Sequence, residues 1–342
     1  MRLVVKDIVK ETQDAVTLCF KNGSFFRKLK YKPGQFLTIN TVIDNKTQKR
    51  AYSFSSAPND DKDLKITIKR VENGLVSNYI HDHVKKGDKI EVDTPSGSFF
   101  VEPMPHAKNQ YVLFAGGSGV TPMFSILKSV LKEEKNSKVL LIYANQSEES
   151  IIFHEAIKAL EVKYPDSFNV EHVLAKNTIN ASNYHSGLMT ESLLTHIFKK
   201  HNLLFDKHSY MICGPNGFME KAKELLKDKG VDRNQIKIEV FKAPKVKISG
   251  KNLISNVTLK FNNETHNIQV RGDQSILQKA MSENIPLPYS CRSGMCSTCK
   301  GTCVSGTIKM TDGHLLTDDA VNKGEILTCI SYPESEEVLI EL

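Results

Sequence analysis

No stretch of the 342-residue chain approaches the ~20 consecutive apolar residues of a spanning helix, and Met1-Arg2-Leu3-Val4-Val5-Lys6-Asp7 lacks the apolar core of a secretory signal. Neither membrane insertion nor export is expected. The formal charge is +7, yet no lysine- and arginine-rich block is interleaved with aromatics, and neither zinc-finger nor RNP-like spacing occurs. Nucleic-acid binding is therefore not expected, and the lysines read as a solvated surface. Internal repeats and low-complexity tracts are missing too. At this length, two or three domains of about 100–150 residues account for the chain better than one core.

What is present is concentrated in the cysteines. Cys291, Cys296 and Cys299 lie in one short run, and Cys329 follows after 29 intervening residues. That is the plant-type spacing of a [2Fe–2S] cluster, in which each iron takes two thiolates. Arg292, Ser293, Gly294, Met295, Ser297 and Thr298 fill the loop with mostly small residues, so the backbone can curl around a cluster and aim N–H groups at its sulfurs. A thioredoxin-like pair at Cys296 and Cys299 leaves Cys291 and Cys329 unused, and a zinc ribbon needs a second C-x2-C doublet that is missing. The spacing thus points to a one-electron carrier. Cys19, Cys213 and Cys303 remain without an obvious disulfide framework, which suggests a reducing compartment, by default the cytoplasm.

Residues 3–103 alternate in short strands such as 34–39, 63–68 and 88–92, the pattern of a small β-barrel. After Pro103 and Pro105 the texture changes to apolar strands at 111–115 and 138–143 separated by helical periodicity, as in a parallel sheet with crossover helices. Residues 242–256, with four lysines, read as a linker, and an alternating strand opens the tail at 257–261. The expected division is 1–103, 104–241, linker 242–256 and 257–342. The last segment carries seven Lys/Arg against eleven Asp/Glu, or −4, and the remainder thirty-nine against twenty-eight, or +11. An acidic electron-carrier domain would be attracted to so basic a neighbour.

Three upstream segments carry chemistry that each also has a plain structural reading. Gly116-Gly117-Ser118-Gly119-Val120-Thr121-Pro122 sits between an apolar strand and a helical pattern. There, backbone N–H groups and the helix dipole favour a phosphate, although a simple strand-to-helix turn fits as well and G-x-G-x-x-G is not matched. In Arg50-Ala51-Tyr52-Ser53-Phe54-Ser55-Ser56, arginine suits a pyrophosphate, tyrosine can cover a flavin ring and serine can reach a ring nitrogen; an ordinary strand has the same alternation. Gly74-Leu75-Val76-Ser77-Asn78-Tyr79 suits either another phosphate-binding helix start or a plain one. His81 and His83 lack further ligands at metal spacing and read as surface residues.

Together these segments resemble the ferredoxin–NADP reductase superfamily joined to a C-terminal plant-type ferredoxin, in the order found in the reductase component of phenylacetyl-CoA epoxidase and related oxygenase reductases. The resemblance implies an FAD-binding antiparallel β-barrel, a doubly wound parallel α/β nucleotide domain and a β-grasp ferredoxin domain. It assigns Arg50, Tyr52 and Ser53 to the FAD pyrophosphate, ring face and N5 edge, with Gly74 and Ser77 also at the pyrophosphate. Gly116, Gly117, Gly119 and Thr121 would lie against the nicotinamide nucleotide. Cys213 of Cys213-Gly214-Pro215 would face the nicotinamide, Glu239 would help order it and manage protons, and Phe241 could cover the flavin.

The resemblance further implies NAD(P)H as donor, with a flavin that splits a hydride into single electrons for the cluster. The acceptor would be an oxygenase, such as phenylacetyl-CoA epoxidase, or another redox protein: a ketosteroid hydroxylase, a desaturase or a hybrid-cluster protein. A redox-sensing module with degenerate upstream domains is the non-enzymatic alternative. No Cys-x-His pattern of a Rieske centre marks the chain itself as an oxygenase component. Relatives that use NADPH commonly carry an arginine after the asparagine of the second nucleotide-domain strand and a second basic residue soon after. This chain has Asn145-Gln146-Ser147 and Phe153-His154-Glu155, and also lacks the acidic residue that commonly marks a ribose 2′-hydroxyl site. The expectation leans slightly to NADPH, with NADH also accepted.

Overall fold

The computed structural model describes residues 1–22, 29–176, 179–242, 253–311 and 314–342. They fall into two compact units, Met1–Glu239 and Val240–Leu342.

The first unit opens with an antiparallel sheet of β1 (Arg2–Lys10), β2 (Ala15–Phe20), β3 (Phe36–Ile43), β4 (Lys46–Ser53), β5 (Leu64–Lys69) and β6 (Lys89–Val92), in the order β4-β3-β6-β1-β2-β5. Alternation drives it: in β6, Ile90 and Val92 are buried while Lys89 and Glu91 face out. Asp44 and Asn45, both at positive φ, make the two-residue turn that sets β3 against β4 from Ile43–Lys46 to Phe36–Ser53. A bridge between Phe54 and Ile66 joins the two edge strands and closes the barrel. Helix α1 (Leu75–His83) follows β5.

A parallel sheet comes next, of β7 (Gln110–Gly116), β8 (Lys138–Asn145), β9 (Phe168–Leu174), β10 (Tyr184–Ser186), β11 (Ser209–Cys213) and β12 (Ile236–Glu239), ordered β10-β9-β8-β7-β11-β12. The strand order reverses between β7 and β11, so the carboxyl ends of those strands, Gly116 and Cys213, flank the crevice where open α/β sheets bind ligands. Helices α2 (Val120–Glu133), α3 (His154–Lys163), α4 (Glu191–Lys200) and α5 (Asn216–Asp228) connect the strands. Helix α2 is nearly all buried because it packs on its own sheet and also on the barrel. Ala15, Phe99 and Val101 share a core with Val120, Met123 and Leu127, and Ser125 Oγ donates to the Ser56 carbonyl at 2.6 Å. One continuous core therefore holds barrel and parallel sheet together.

In the second unit, β13 (Ile254–Phe261), β14 (Glu264–Arg271), helix α6 (Ile276–Ser282), β15 (Lys300–Ser305), β16 (Ile308–Met310), helix α7 (Asp318–Asn322), β17 (Glu325–Leu327), β18 (Ser331–Pro333) and β19 (Glu337–Glu341) succeed one another. The main sheet runs β14-β13-β19-β15-β17, with β13 and β19 parallel. Ile276, Leu277 and Ala280 of α6 share its core with Val257, Leu259 and Ile340, the β-grasp arrangement. Strand β13 begins at Ile254, inside the segment read as linker; residues 243–252 of that segment lie outside the described residues.

Candidate functional site

In the second unit the four thiols stand as two pairs. Cys291 hydrogen-bonds Cys296, and Cys329 hydrogen-bonds Cys299. Cys291, Cys296 and Cys299 sit on the 291–299 loop, and Cys329 on a short 3-10 turn, Thr328–Ile330, tied to the loop by the Thr328 N–H and hydroxyl on the Cys299 carbonyl at 3.0 and 3.2 Å. Among the described residues, no three His, Cys, Asp or Glu side chains converge as ligands of one ion. Two pairs suit two irons, so the zinc reading loses its geometric support.

The loop backbone is built around these sulfurs. The N–H groups of Ser293 and Met295 point at Cys291 Sγ at 3.5 and 3.4 Å, that of Cys291 points at Cys296 Sγ at 3.5 Å, and that of Gly294 reaches Cys329. Positive φ at Arg292, Gly294 and Ser297 produces the reversals that aim them. A hydrogen bond from the Cys291 thiol, outweighing burial, pulls Cys296 down, and the Cys329 thiol lowers Cys299 likewise. Cys303, on β15, directs its thiol to the Ser305 and Gly306 carbonyls and joins neither pair.

On the barrel, Arg50 and Tyr52 lie two residues apart on β4 and so share a face. Burial pushes the Tyr52 phenol up, and the Arg50 charge pulls partly the other way. Ser53 points to the opposite face and is only 2% exposed, and its Oγ is sealed without a hydrogen-bond partner among the described residues. A buried hydroxyl in that position costs about 1–3 kcal/mol unless a bound group completes it, which fits a flavin edge. The Ser77 hydroxyl donates to the Gly74 carbonyl at 3.3 Å and accepts from the Val71 N–H at 3.2 Å. It holds the turn before α1.

At the sheet's switch point, Gly116 ends β7, a 3-10 turn spans Gly117–Gly119, and α2 starts at Val120. Gly117 has φ +50 and open space where a Cβ would be, whereas a Cβ on Gly119 would lie 2.1 Å from the Cys213 carbonyl oxygen. Gly117 thus faces the crevice, and Gly119 lets the ends of β7 and β11 approach. The Thr121 hydroxyl donates to the Ser118 carbonyl at 3.0 Å and steadies the same turn. Cys213 and Glu239 are direct neighbours across β11 and β12, both buried. Burial, and then the Glu239 charge, push the Cys213 thiol well up, so it stays neutral. Phe241 lies beyond β12, in the second unit, and is 42% exposed.

Comparison with known proteins agrees with this arrangement. Residues 2–101 match the oxidoreductase FAD-binding domain, 113–224 the oxidoreductase NAD-binding domain and 259–334 the 2Fe-2S iron-sulfur cluster binding domain. The ferredoxin reductase component of 3-ketosteroid-9-alpha-monooxygenase from Mycobacterium tuberculosis is 33% identical, over 99% of this chain and 94% of that one. One of the subunits of 1,2-phenylacetyl-CoA epoxidase from Escherichia coli is 30% identical, over 99% and 96%. The structure of phthalate dioxygenase reductase superposes with a TM-score of 0.66 at 23% identity, covering 100% of this chain and 98% of that one. The chain belongs to the ferredoxin–NADP reductase family, in its form with a C-terminal [2Fe–2S] domain.

This reductase is an NAD(P)H-dependent oxidoreductase whose cofactors are FAD and a [2Fe–2S] cluster. Sequence reasoning missed the latch between its barrel and α2. Asp61 pairs with Lys65 at 2.9 Å and with Lys128 of α2, and Lys132 of α2 pairs with Asp60 at 3.1 Å. Burial would raise the Asp61 carboxyl, but the two lysines more than offset it and hold it down. Nothing in the run Asn59-Asp60-Asp61-Lys62 separates such a residue from an exposed turn. Also missed was buried Glu171 on β9, which takes His185 Nε2 and His201 Nε2 at 2.6 Å and Lys200 Nζ at 2.7 Å, and ties β10 and the end of α4 to the sheet.

Proposed function

We propose that this reductase draws electrons from NADH or NADPH and delivers them singly to the oxygenase component of a multicomponent monooxygenase. The observation that carries the reading is the pairing of the four loop and turn thiols, which suits a one-electron cluster in a chain that also has a flavin barrel and a nucleotide sheet. Relatives bear the names of reductase components of a ketosteroid monooxygenase and a glycine betaine monooxygenase, and of a subunit of phenylacetyl-CoA epoxidase. They differ in acceptor, so the proposal is an oxygenase as a class, with phenylacetyl-CoA epoxidase and ketosteroid monooxygenase the first two to test.

When bound, FAD supplies the conversion between hydride and single-electron chemistry. The chain's own residues position and exclude. Arg50 offers a guanidinium for the pyrophosphate and Tyr52 a ring face on the same side of β4, while Ser53 offers a hydroxyl with no competing partner. Gly117 leaves the crevice open to the nucleotide, and Cys213 packs a neutral thiol at its floor. Glu239, buried beside it, is the group we assign to proton handling.

The lean toward NADPH is withdrawn in this reading. His154 Nε2 is engaged with the Tyr184 hydroxyl at 2.8 Å, and burial, chiefly, pushes its pKa down, so it offers no cation for a 2′-phosphate at neutral pH. Glu148 and Glu149 follow β8 instead, with Glu148 3.9 Å from His154. NADH should be used at least as well as NADPH. Anaerobic stopped-flow with each coenzyme, followed at flavin and cluster wavelengths and then with the two oxygenases, tests the proposal. A flavin that is reduced without the cluster following, or a tenfold preference for NADPH, would contradict it.

A further inference from the structure

The loop that holds the thiols is braced by a second segment. The Leu315 N–H donates to the Gly294 carbonyl at 3.0 Å, and a Cβ on Gly294 would lie 3.3 Å from His314 Cβ. His314 is therefore packed directly on the residue whose own N–H reaches Cys329. Its Nδ1 is sealed from solvent and has no hydrogen-bond partner among the described residues. A buried ring nitrogen left so costs about 1–3 kcal/mol, and native proteins rarely leave one without a bound group to complete it.

We propose that His314 donates a hydrogen bond from Nδ1 to the sulfur edge of the [2Fe–2S] cluster and thereby raises its reduction potential. The chemistry is that of the backbone donors already aimed at Cys291, Cys296 and Cys329. A reduced cluster carries one more negative charge than an oxidised one, so each donor to its sulfurs stabilises the reduced form more. His314 adds a side-chain donor to that set, and it is a positioning and tuning residue, not a ligand. The inference rests on the cluster assignment, which the wild-type EPR spectrum tests separately: a wild-type protein without a [2Fe–2S] signal sinks the assignment itself.

The experiment compares full-length wild-type protein, His314→Leu and His314→Gln, each with its cluster confirmed by EPR, in a spectroelectrochemical titration of the cluster. Loss of the donor in His314→Leu should shift the one-electron equilibrium about tenfold toward the oxidised form, or about 59 mV downward, and His314→Gln should recover at least half of the shift. A residue that merely packs the loop would alter cluster yield without moving the potential of the intact fraction. If the leucine variant loses its cluster, wild-type protein labelled with 15N-histidine decides the matter, because a hydrogen-bonded ring nitrogen couples to the reduced cluster in pulsed EPR and His314→Gln removes that coupling. Unchanged potentials with intact clusters, or no histidine coupling in the wild type, would overturn the proposal.

Discussion

Adding a methyl group at Gly119 and at Gly117 separates two reasons for a glycine within one short turn. At Gly119 the backbone sits at φ −61 and ψ −11, which alanine adopts without strain, so only space opposes the change. The new Cβ would stand 2.1 Å from the Cys213 carbonyl oxygen, 2.4 Å from its carbon and 2.8 Å from the Gly214 nitrogen. All three are backbone atoms, and a normal contact is reached only if the ends of β7 and β11 part by roughly 1 Å. Overpacking of this kind costs about 1–3 kcal/mol, and a rigid backbone neighbour argues for about 3. For a unit of this size that lowers Tm by roughly 6–12 °C. At Gly117 the reverse holds: the space is open and φ +50 is the obstacle, at about 1 kcal/mol and 2–4 °C. Thermal melts followed by flavin fluorescence measure both, and stopped-flow titration with NADH gives the nucleotide Kd. Gly119→Ala should keep FAD while weakening nucleotide binding at least tenfold, because the displaced strand ends frame the crevice. If it melts like wild type, or harms binding no more than Gly117→Ala, the close approach of β7 and β11 is not what Gly119 provides.

Serine at Cys291, Cys296, Cys299 or Cys329 should abolish or distort the cluster's visible and EPR signals, whereas Cys303→Ser should leave both intact; the opposite result at Cys303 would redraw the ligand set. Burial would raise the Glu171 carboxyl, but His201, Lys200 and His185 together bring it from 4.5 to about 2. A depressed carboxylate stabilises the fold fully above its unfolded pKa, and that contribution is lost as pH falls from about 4.5 through about 2. Denaturant unfolding should therefore show Glu171→Gln about 3 kcal/mol less stable than wild type at pH 7, with the gap more than halved by pH 3. An equal gap at both pH values would show that the side chains are packed together without this coupling. Lys128→Met leaves the partly buried Asp61 carboxylate with Lys65 and the Ala57 N–H but without its tie to α2, so it should cost about 1–3 kcal/mol and slow hydride transfer by loosening the barrel against α2. Paired replacement with Asp61→Leu should restore most of the stability, and failure of that rescue would count against a latch.

The sequence was most readable where function depends on local spacing. Three cysteines in nine residues can reach one loop whatever the rest of the chain does, and the apolar run before Gly116 announces a strand that must end in a turn. The order of the two sheets and the helix after the glycines followed from the same short-range periodicities. Which cysteines share an iron was another matter, since Cys329 reaches Cys299 by way of a separate turn whose position depends on the whole second unit. Hydroxyls are read less directly. Ser77 and Thr121 stand where phosphate ligands are expected, yet a serine or threonine two or three residues into a helix finds a backbone carbonyl or N–H nearer than any ligand, and both are held by their own turns. Ser53 has no such neighbour because it lies on a strand, where the backbone polar groups are already paired along the sheet. The same candidate chemistry thus carries different weight on a strand and at a helix start. A buried hydroxyl on a strand, with its backbone already satisfied, is the stronger sign of a binding site.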